Sequence, residues 1–138
     1  IFPVQNTYDG EGRVSRREYY SSAGELESYD VYQYDGQEDA SRIDRYDPDG
    51  TMISYVTYQY SSAGQKIRKE FRDPDGTLTG YQTWTYNASG NTEEYCDYTA
   101  EGALNWRRVY RYDDQGGSLG SDKYDSAGNL LQSTVSEH

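Results

Sequence analysis

Glycine recurs as Gly12, Gly24, Gly50, Gly64, Gly76, Gly90, Gly102, Gly116 and Gly128, and with Glu38 filling the one vacant slot the steps alternate between 12 and 14 residues. Two steps make a 26-residue period that runs the length of the chain without insertion. Self-similarity of this kind means that one supersecondary unit is stacked repeatedly. Most of the glycines close a five-residue string that opens with tyrosine: YDGEG at Tyr8, YSSAG at Tyr20 and Tyr60, YDPDG at Tyr46, YNASG at Tyr86, YTAEG at Tyr98, YDDQG at Tyr112 and YDSAG at Tyr124. RDPDG at Arg72 replaces the tyrosine, and YDGQE at Tyr34 replaces the glycine.

Such a string is a tight turn. Asp, Asn or Ser caps it, Pro48 and Pro74 preset φ, and the final glycine takes the left-handed conformation of a type I turn with a G1 bulge. The nine glycines are thus the turn-defining residues. Segments of 8 to 10 residues, rich in Tyr, Val, Thr and Ile, lie between the turns and are long enough for strands. No helical periodicity interrupts them. Ten turns predict up to eleven strands, with partial ones over 1–8 and 129–136, in a single all-β domain over 1–138 without helices.

Charge decides how the strands associate. A parallel solenoid would stack Arg16, Arg42 and Arg68 in one column and Glu18, Asp44 and Glu70 in the next, with like charges about 4.8 Å apart. An antiparallel meander instead pairs each turn tyrosine with the residue six later: Tyr46 with Met52, Tyr20 with Leu26, Tyr98 with Leu104 and Tyr124 with Leu130. Extended along the strands, this register sets Arg16 against Asp30, and Glu94 against Arg108 against Asp122, at the cost of Asp30 beside Asp44. Cross-strand pairs of this kind contribute about 0.2–1 kcal/mol each, so the meander is preferred. Eleven strands at about 4.8 Å span roughly 50 Å, and a sheet that wide twists, curls or closes. The same register places Tyr29, Val31, Ile43, Ile53, Tyr55, Ile67, Phe71, Tyr81, Tyr95, Val109 and Leu119 on one face, together with Arg17, Lys69 and Arg107, as the more buried side.

Composition makes that core thin. Ile, Leu, Val and Phe total 18 residues, about 13% of the chain, against 17 Tyr, and the net charge is −11. On composition alone these values would read as disorder, so cross-strand tyrosine contacts and Tyr–Arg stacking must supply what aliphatic packing normally does. There is no apolar run long enough for a helical membrane span. The acidic balance argues against nucleic acid as a partner. A start at Ile1 suggests an exported or excised chain, and the expected location is the bacterial cell surface or medium.

The strings YDPDGTM at Tyr46 to Met52 and YDSAGNLL at Tyr124 to Leu131, repeated with polar strands between them, resemble the YD repeats of rearrangement-hotspot (RHS) proteins and teneurins over nearly the whole chain. The resemblance implies a continuous sheet of antiparallel hairpins that spirals into a shell, often around a toxin domain, with no catalytic residue in the repeats. The period here is longer than the usual YD repeat, and ten turns are too few to close a shell. A weaker likeness, in composition only, is to the Tyr-rich glycine repeats of choline- and glucan-binding modules.

No catalytic set, cofactor or metal site is expected. His138 is the only histidine and the last residue, so a His-based nucleophile centre inside the fold has no base. Cys96 is alone, which leaves no partner for a disulfide, and reads as a small strand residue. Glu93 and Glu94 point to opposite faces. Asp47 with Asp49, Asp73 with Asp75, and Asp113 with Asp114 could offer oxygens to Ca²⁺, but capping of their own turns accounts for them. Asn87-Ala88-Ser89 forms a glycosylation sequon within a turn. The aromatic ladders are the best candidates for ligand contact: Tyr8, Tyr34, Tyr60, Tyr86 and Tyr112 at one period, with Tyr32, Tyr58, Trp84 and Tyr110 beside them, and Trp106 as a further contact point. A repeat that needs identical packing in every unit favours a structural role.

Three functions follow. The leading expectation is a non-enzymatic scaffold or adhesion sheet that meets a protein or glycan partner. A carbohydrate-binding module built on Tyr32, Tyr58, Trp84, Trp106 and Tyr110 is the second. The third is self-assembly, or membership of a toxin-encapsulating shell, through unpaired edges, of which Leu130 to Val135 is the more hydrophobic.

Overall fold

The computed structural model describes residues 3–36 and 38–136 and contains one sheet of eleven antiparallel strands in chain order. They are β1 (Val4–Tyr8), β2 (Val14–Tyr20), β3 (Leu26–Gln33), β4 (Arg42–Tyr46), β5 (Met52–Tyr60), β6 (Lys66–Arg72), β7 (Leu78–Tyr86), β8 (Thr92–Thr99), β9 (Leu104–Tyr112), β10 (Ser118–Asp125) and β11 (Leu130–Val135). The sheet is open, with β1 and β11 as its edges. The meander register is therefore the one adopted. Met52, Leu26, Leu104 and Leu130 lie opposite Tyr46, Tyr20, Tyr98 and Tyr124.

The turns form as the glycine spacing requires. Gly12, Gly24, Gly50, Gly64, Gly76, Gly90, Gly102, Gly116 and Gly128 all take a left-handed φ, between 82° and 94°. Each of their amides donates to the carbonyl three residues back, which closes the turn; in the Asp47 hairpin Gly50 N donates to Asp47 O at 3.1 Å and Asp47 N to Thr51 O at 2.9 Å. The turn carboxylates accept amide protons of their own loops: Asp47 Oδ1 takes Asp49 N and Thr51 N, and Asp9, Asp113 and Asp125 do the same. Asn87 Oδ1 likewise accepts from Ser89 N and Asn91 N. The Tyr34 connection is different. It has Glu38 in the glycine's place, uses Gly36 at φ 73°, and returns through Ser41, whose N donates to Gln33 O at 2.8 Å.

Beyond the turns, every mid-strand pair is moved by a residue. In each of the nine hairpins that keep the turn glycine, the ladder skips the residue seven after the turn's first position: Ser15, Glu27, Ile53, Ile67, Thr79, Glu93, Asn105, Leu119 and Leu131. A bulge adds one residue to one strand and increases the local twist. The β3–β4 pair, which lacks the turn glycine, has an unbroken register. A shift of one flips side chains between faces, and this corrects the expected ladders. Arg16 faces Val31 and Asp30 faces Arg17; Glu94 faces Val109, and Arg108 faces Tyr95 and Lys123. Asp30 stands opposite Arg45 and Asp44 opposite Val31, so the anticipated repulsion between the two acids is absent.

The expected buried face is split by the same shift. Directly opposed residues share a face, and on that basis Tyr29, Val31, Tyr55, Tyr81 and Val109 occupy one side and Ile43, Phe71 and Tyr95 the other. Ile53, Ile67 and Leu119 sit at bulges and are 47%, 37% and 36% exposed. Arg17 and Lys69 part from Arg107 in the same way. Among the described residues only Ala40, Cys96, Asp30, Asp44, Gly120 and Ser121 are buried, and no large side chain is fully enclosed. The accessible surface, 8611 Å², exceeds the roughly 7,300 Å² of a compact monomer of this mass, as a single layer should.

Candidate functional site

Each face has its own chemistry. On the face that carries Tyr29, a packing unit recurs with the 26-residue period. Arg16, Arg42 and Arg68 lie over the rings of Tyr29, Tyr55 and Tyr81 at 3.8, 3.8 and 3.9 Å, each thirteen residues ahead. The same guanidiniums pair with the acids two residues on, Glu18, Asp44 and Glu70, at 3.1, 2.7 and 2.9 Å. Tyr29 and Tyr81 stack in turn on Tyr46 and Tyr98, with centroids 5.1 and 4.8 Å apart. In the fourth unit the polarity is exchanged, since Glu94 takes the arginine's place and Arg107 the tyrosine's, and the two pair at 3.6 Å. Cys96 fills the acid's place there, buried, with its thiol 3.1 Å from Glu94 Oε1. Burial, with the Glu94 carboxylate beside it, pushes that thiol up to about 11, so it is protonated at neutral pH and poorly nucleophilic.

Four of the tyrosines that open turns act as staples. The hydroxyl of Tyr34 donates to Val14 O at 2.7 Å and that of Tyr60 to Ala40 O at 2.5 Å, while Tyr86 reaches Lys66 O and Tyr112 reaches Thr92 O, always a carbonyl twenty residues back. Desolvation raises the Tyr60 hydroxyl to about 12. Tyr8, the first member of the ladder, is 57% exposed. The turn glycines at the other ends of the strands lie close to rings of the Tyr29 face: Tyr29, Tyr55 and Tyr81 bring their hydroxyls over Gly50, Gly76 and Gly102, one period apart.

All five aromatic candidates, Tyr32, Tyr58, Trp84, Trp106 and Tyr110, lie on the opposite face. Trp84 stacks on Tyr95 at 4.8 Å, and Tyr95 meets Trp106 edge-on at 5.2 Å. Tyr95 is held by its hydroxyl, which donates to Gln82 Oε1 at 2.6 Å, and Gln82 in turn donates to Asp97. Tyr32 and Tyr58 share a cleft of about 260 Å³ with Ile43 and Lys66, bordered at one end by Glu38 and Asp39. A second cleft of about 260 Å³ continues past Tyr58 to Lys69, Phe71 and Arg45. Tyr110 stands apart, opposite Ser121. Simple alternation puts Tyr95 with Tyr29; the bulges move it here, where it joins the two tryptophans.

Cations accompany these rings. The Lys66 ammonium lies 4.5 Å from the Tyr58 centroid and 5.4 Å from that of Trp84, Lys69 lies 4.8 Å from Phe71, and Lys123 lies 4.5 Å from Trp106. Among the described residues none of these three lysines forms an ion pair. Burial lowers the Lys69 ammonium's affinity for its proton, and the neighbouring charges of Lys66 and Arg45 add to the effect. Arg45 is the exception, bound bidentately to buried Asp30 at 2.8 and 3.0 Å, with the Tyr19 hydroxyl completing the group. His138 lies outside the described residues.

No family model matches the sequence, and no curated protein matches it. Solved structures do. Over 96% of its length the chain superposes on 8% of a chain of the Photorhabdus luminescens Tc holotoxin pore, with a TM-score of 0.56 and 15% identity. Looser matches are a TcdB2–TccC3 crystal structure without the hypervariable C-terminal region (TM-score 0.38, 13% identity, 96% and 9% covered) and a Bacteroides fragilis protein of unknown function (TM-score 0.36, 14% identity, 96% and 90% covered). The chain thus spans less than a tenth of these two toxin chains, and the first likeness is one of fold: an antiparallel hairpin sheet of the kind that the YD strings imply.

Proposed function

We propose that this chain is a non-catalytic structural sheet, a wall or scaffold module of YD-repeat type that works outside the cell. The observation that carries the reading is where the repeat's recurring side chains go. The arginine, the acid two residues on, the tyrosine thirteen residues ahead and the turn tyrosine all engage one another or the backbone at the 26-residue period. A sequence that repeats its packing contacts and varies between them specifies an extendable surface. The fold likeness to a chain of the Tc holotoxin pore, covering 8% of that chain, supports the view that such a sheet can form part of a larger assembly. Its open edges offer a route to further strands.

Excision of one period tests the proposal. Removing residues 61–86 joins Tyr60 to Asn87, the first and second positions of the turn string, and so restores an intact string, Tyr-Asn-Ala-Ser-Gly. A modular wall loses two strands and stays folded, with the same circular dichroism per residue and a shorter maximum dimension by solution scattering. If the shortened chain is unfolded while the parent is folded, the modular reading fails.

A further inference from the structure

The charge of the whole molecule conceals the charge of one face. Of the 13 cationic residues, six lie on the face that carries Tyr58 and Trp84: Arg17, Arg45, Lys66, Lys69, Arg108 and Lys123. Within the strands Asp30, Asp97 and Asp125 answer them there, and Glu38 and Asp39 line one cleft beside them. On the opposite face every cation among the described strands is ion-paired, through Glu18, Asp44, Glu70, Glu94 and Asp122. The other carboxylates stand in turns, at bulges and in the terminal segment. A protein of net charge −11 therefore presents a cationic, aromatic surface about three charges positive over its strands within an acidic rim.

We propose that this face binds an acidic polysaccharide, with sugar rings laid on the Tyr58, Trp84 and Trp106 side chains and carboxylates met by Lys66, Lys69 and Lys123. Three observations support the assignment. The lysines are held over aromatic rings and have no acid partner among the described residues, so their charge is available to a ligand. Both clefts of about 260 Å³ open on this face, and Tyr58 and Ile43 line both. Finally, the cations of this face without a carboxylate partner among the described residues, Arg17, Lys66, Lys69, Arg108 and Lys123, are spread over β2, β6, β9 and β10, with gaps of up to four strands, about 19 Å. Such sparse charge beside exposed rings suits an acidic polymer whose sugars also stack on aromatic side chains. It is too sparse for nucleic acid, which carries a charge about every 3.4 Å along each strand, and the acidic rim repels the denser polyanion more strongly. The proposal is independent of the scaffold reading, since a wall can be bare and a binding face can belong to a chain that is not modular.

The test uses the 138-residue chain and four probes: hyaluronan, polygalacturonate, neutral dextran and oligodeoxythymidylate. Binding is followed by tryptophan fluorescence at low and at physiological salt. Expected are saturable changes with at least one acidic polysaccharide, weakening as salt rises, and none with dextran. The variant Lys66→Gln/Lys69→Gln should bind at least tenfold more weakly. Thr85→Lys, which adds a cation to the opposite face, should bind within twofold of the parent and so exclude an effect of net charge. If the double variant does not fold, protection of Trp84 and Trp106 from acrylamide quenching by the polysaccharide in the parent protein decides instead. Tighter binding of the oligonucleotide assigns the face to nucleic acid and overturns the proposal. So does silence towards both acidic polymers, or equal binding by dextran. None of these outcomes bears on the excision of residues 61–86, so the two readings fail separately.

Discussion

Arg68 holds two partners at once, placed over the Tyr81 ring at 3.9 Å and pairing with Glu70 at 2.9 Å, and Glu70 also takes Arg72 at 3.0 Å. Arg42 is placed in the same way, but Asp44, whose side chain is only 6% exposed, has no second guanidinium and otherwise accepts from Gln33 alone among the described residues. Losing one partner of a buried pair costs about 3–5 kcal/mol and of an exposed pair at most about 1, and Arg42 is 36% exposed. Arg42→Leu should therefore cost about 2 kcal/mol and Arg68→Leu about 1, by urea denaturation; equal losses would show that the acid's residual partner is irrelevant. Burial alone would raise the Glu70 carboxyl, but the hydrogen bonds from Arg72 and Arg68 more than reverse it and hold it below the ordinary 4.5. A carboxyl depressed in the folded state contributes stability in full above its unfolded value and loses it as pH falls through the folded one. Glu70→Gln should accordingly flatten the decline in stability below about pH 4.5 and leave the shape of the curve above about pH 6 unchanged, measured by thermal unfolding at each pH. Tyr86→Phe removes a hydroxyl that meets Lys66 O, and about 1 kcal/mol of stability should go with it; a neutral result would make the twenty-residue staple ornamental.

At the scale of strands and turns, the sequence is most readable where the chain bends. The turn string specifies a tight loop with a left-handed glycine, and from it the first pair beyond the turn follows directly, as Tyr46, Gly50 and Met52 show. The next residue is the one that alternation misreads. Ser15, Glu27, Ile53, Ile67, Thr79, Glu93, Asn105, Leu119 and Leu131 share a position and little else in chemistry, and a position that accepts Glu and Ile alike is one that packs against nothing in particular. That indifference is a signal of the bulge, although alternation along a strand reads each isoleucine as core. One unrecognised residue exchanges the faces, which is why Ile43, Phe71 and Tyr95 part from Tyr29 and Tyr55, and why the lysine cluster beside Tyr58 cannot be assembled from register alone. Ile53→Lys and Ile67→Lys should each change stability by no more than about 0.5 kcal/mol, as exposed positions do, whereas truncating core isoleucines costs about 2–5 kcal/mol. Urea unfolding of the two variants separates these cases, and a loss of about 2 kcal/mol or more in either would put the isoleucine back in the core.

For the whole molecule, the balance of opposing charges and the turn arithmetic together are enough to select an antiparallel meander over a stacked solenoid, but neither carries information about closure. Closure depends on whether the accumulated twist brings the first strand to the last, and here β1 and β11 stay apart. An open sheet keeps two rows of unpaired backbone groups, and proteins usually guard such rows with charge, proline or a covering segment. Pro3 stands before β1, but β11, Leu-Leu-Gln-Ser-Thr-Val, has neither a charge nor a proline, and all six of its residues are exposed, Leu131 at 58% and Val135 at 78%. Pairing β11 with β11 of a second copy about a two-fold axis normal to the sheet is antiparallel and keeps the cationic faces of both copies on the same side. A heterologous union of β11 with β1 is antiparallel only if one sheet is turned over. The 138-residue chain should therefore dimerise with concentration and stop there. Sedimentation equilibrium should show monomer passing to dimer, Ser133→Pro should return it to monomer with its circular dichroism intact, and Leu131→Lys should weaken the dimer. A monomer at all concentrations would mean that the twist of β11 turns its edge away from a partner, and growth beyond the dimer would mean that β1 takes part as well.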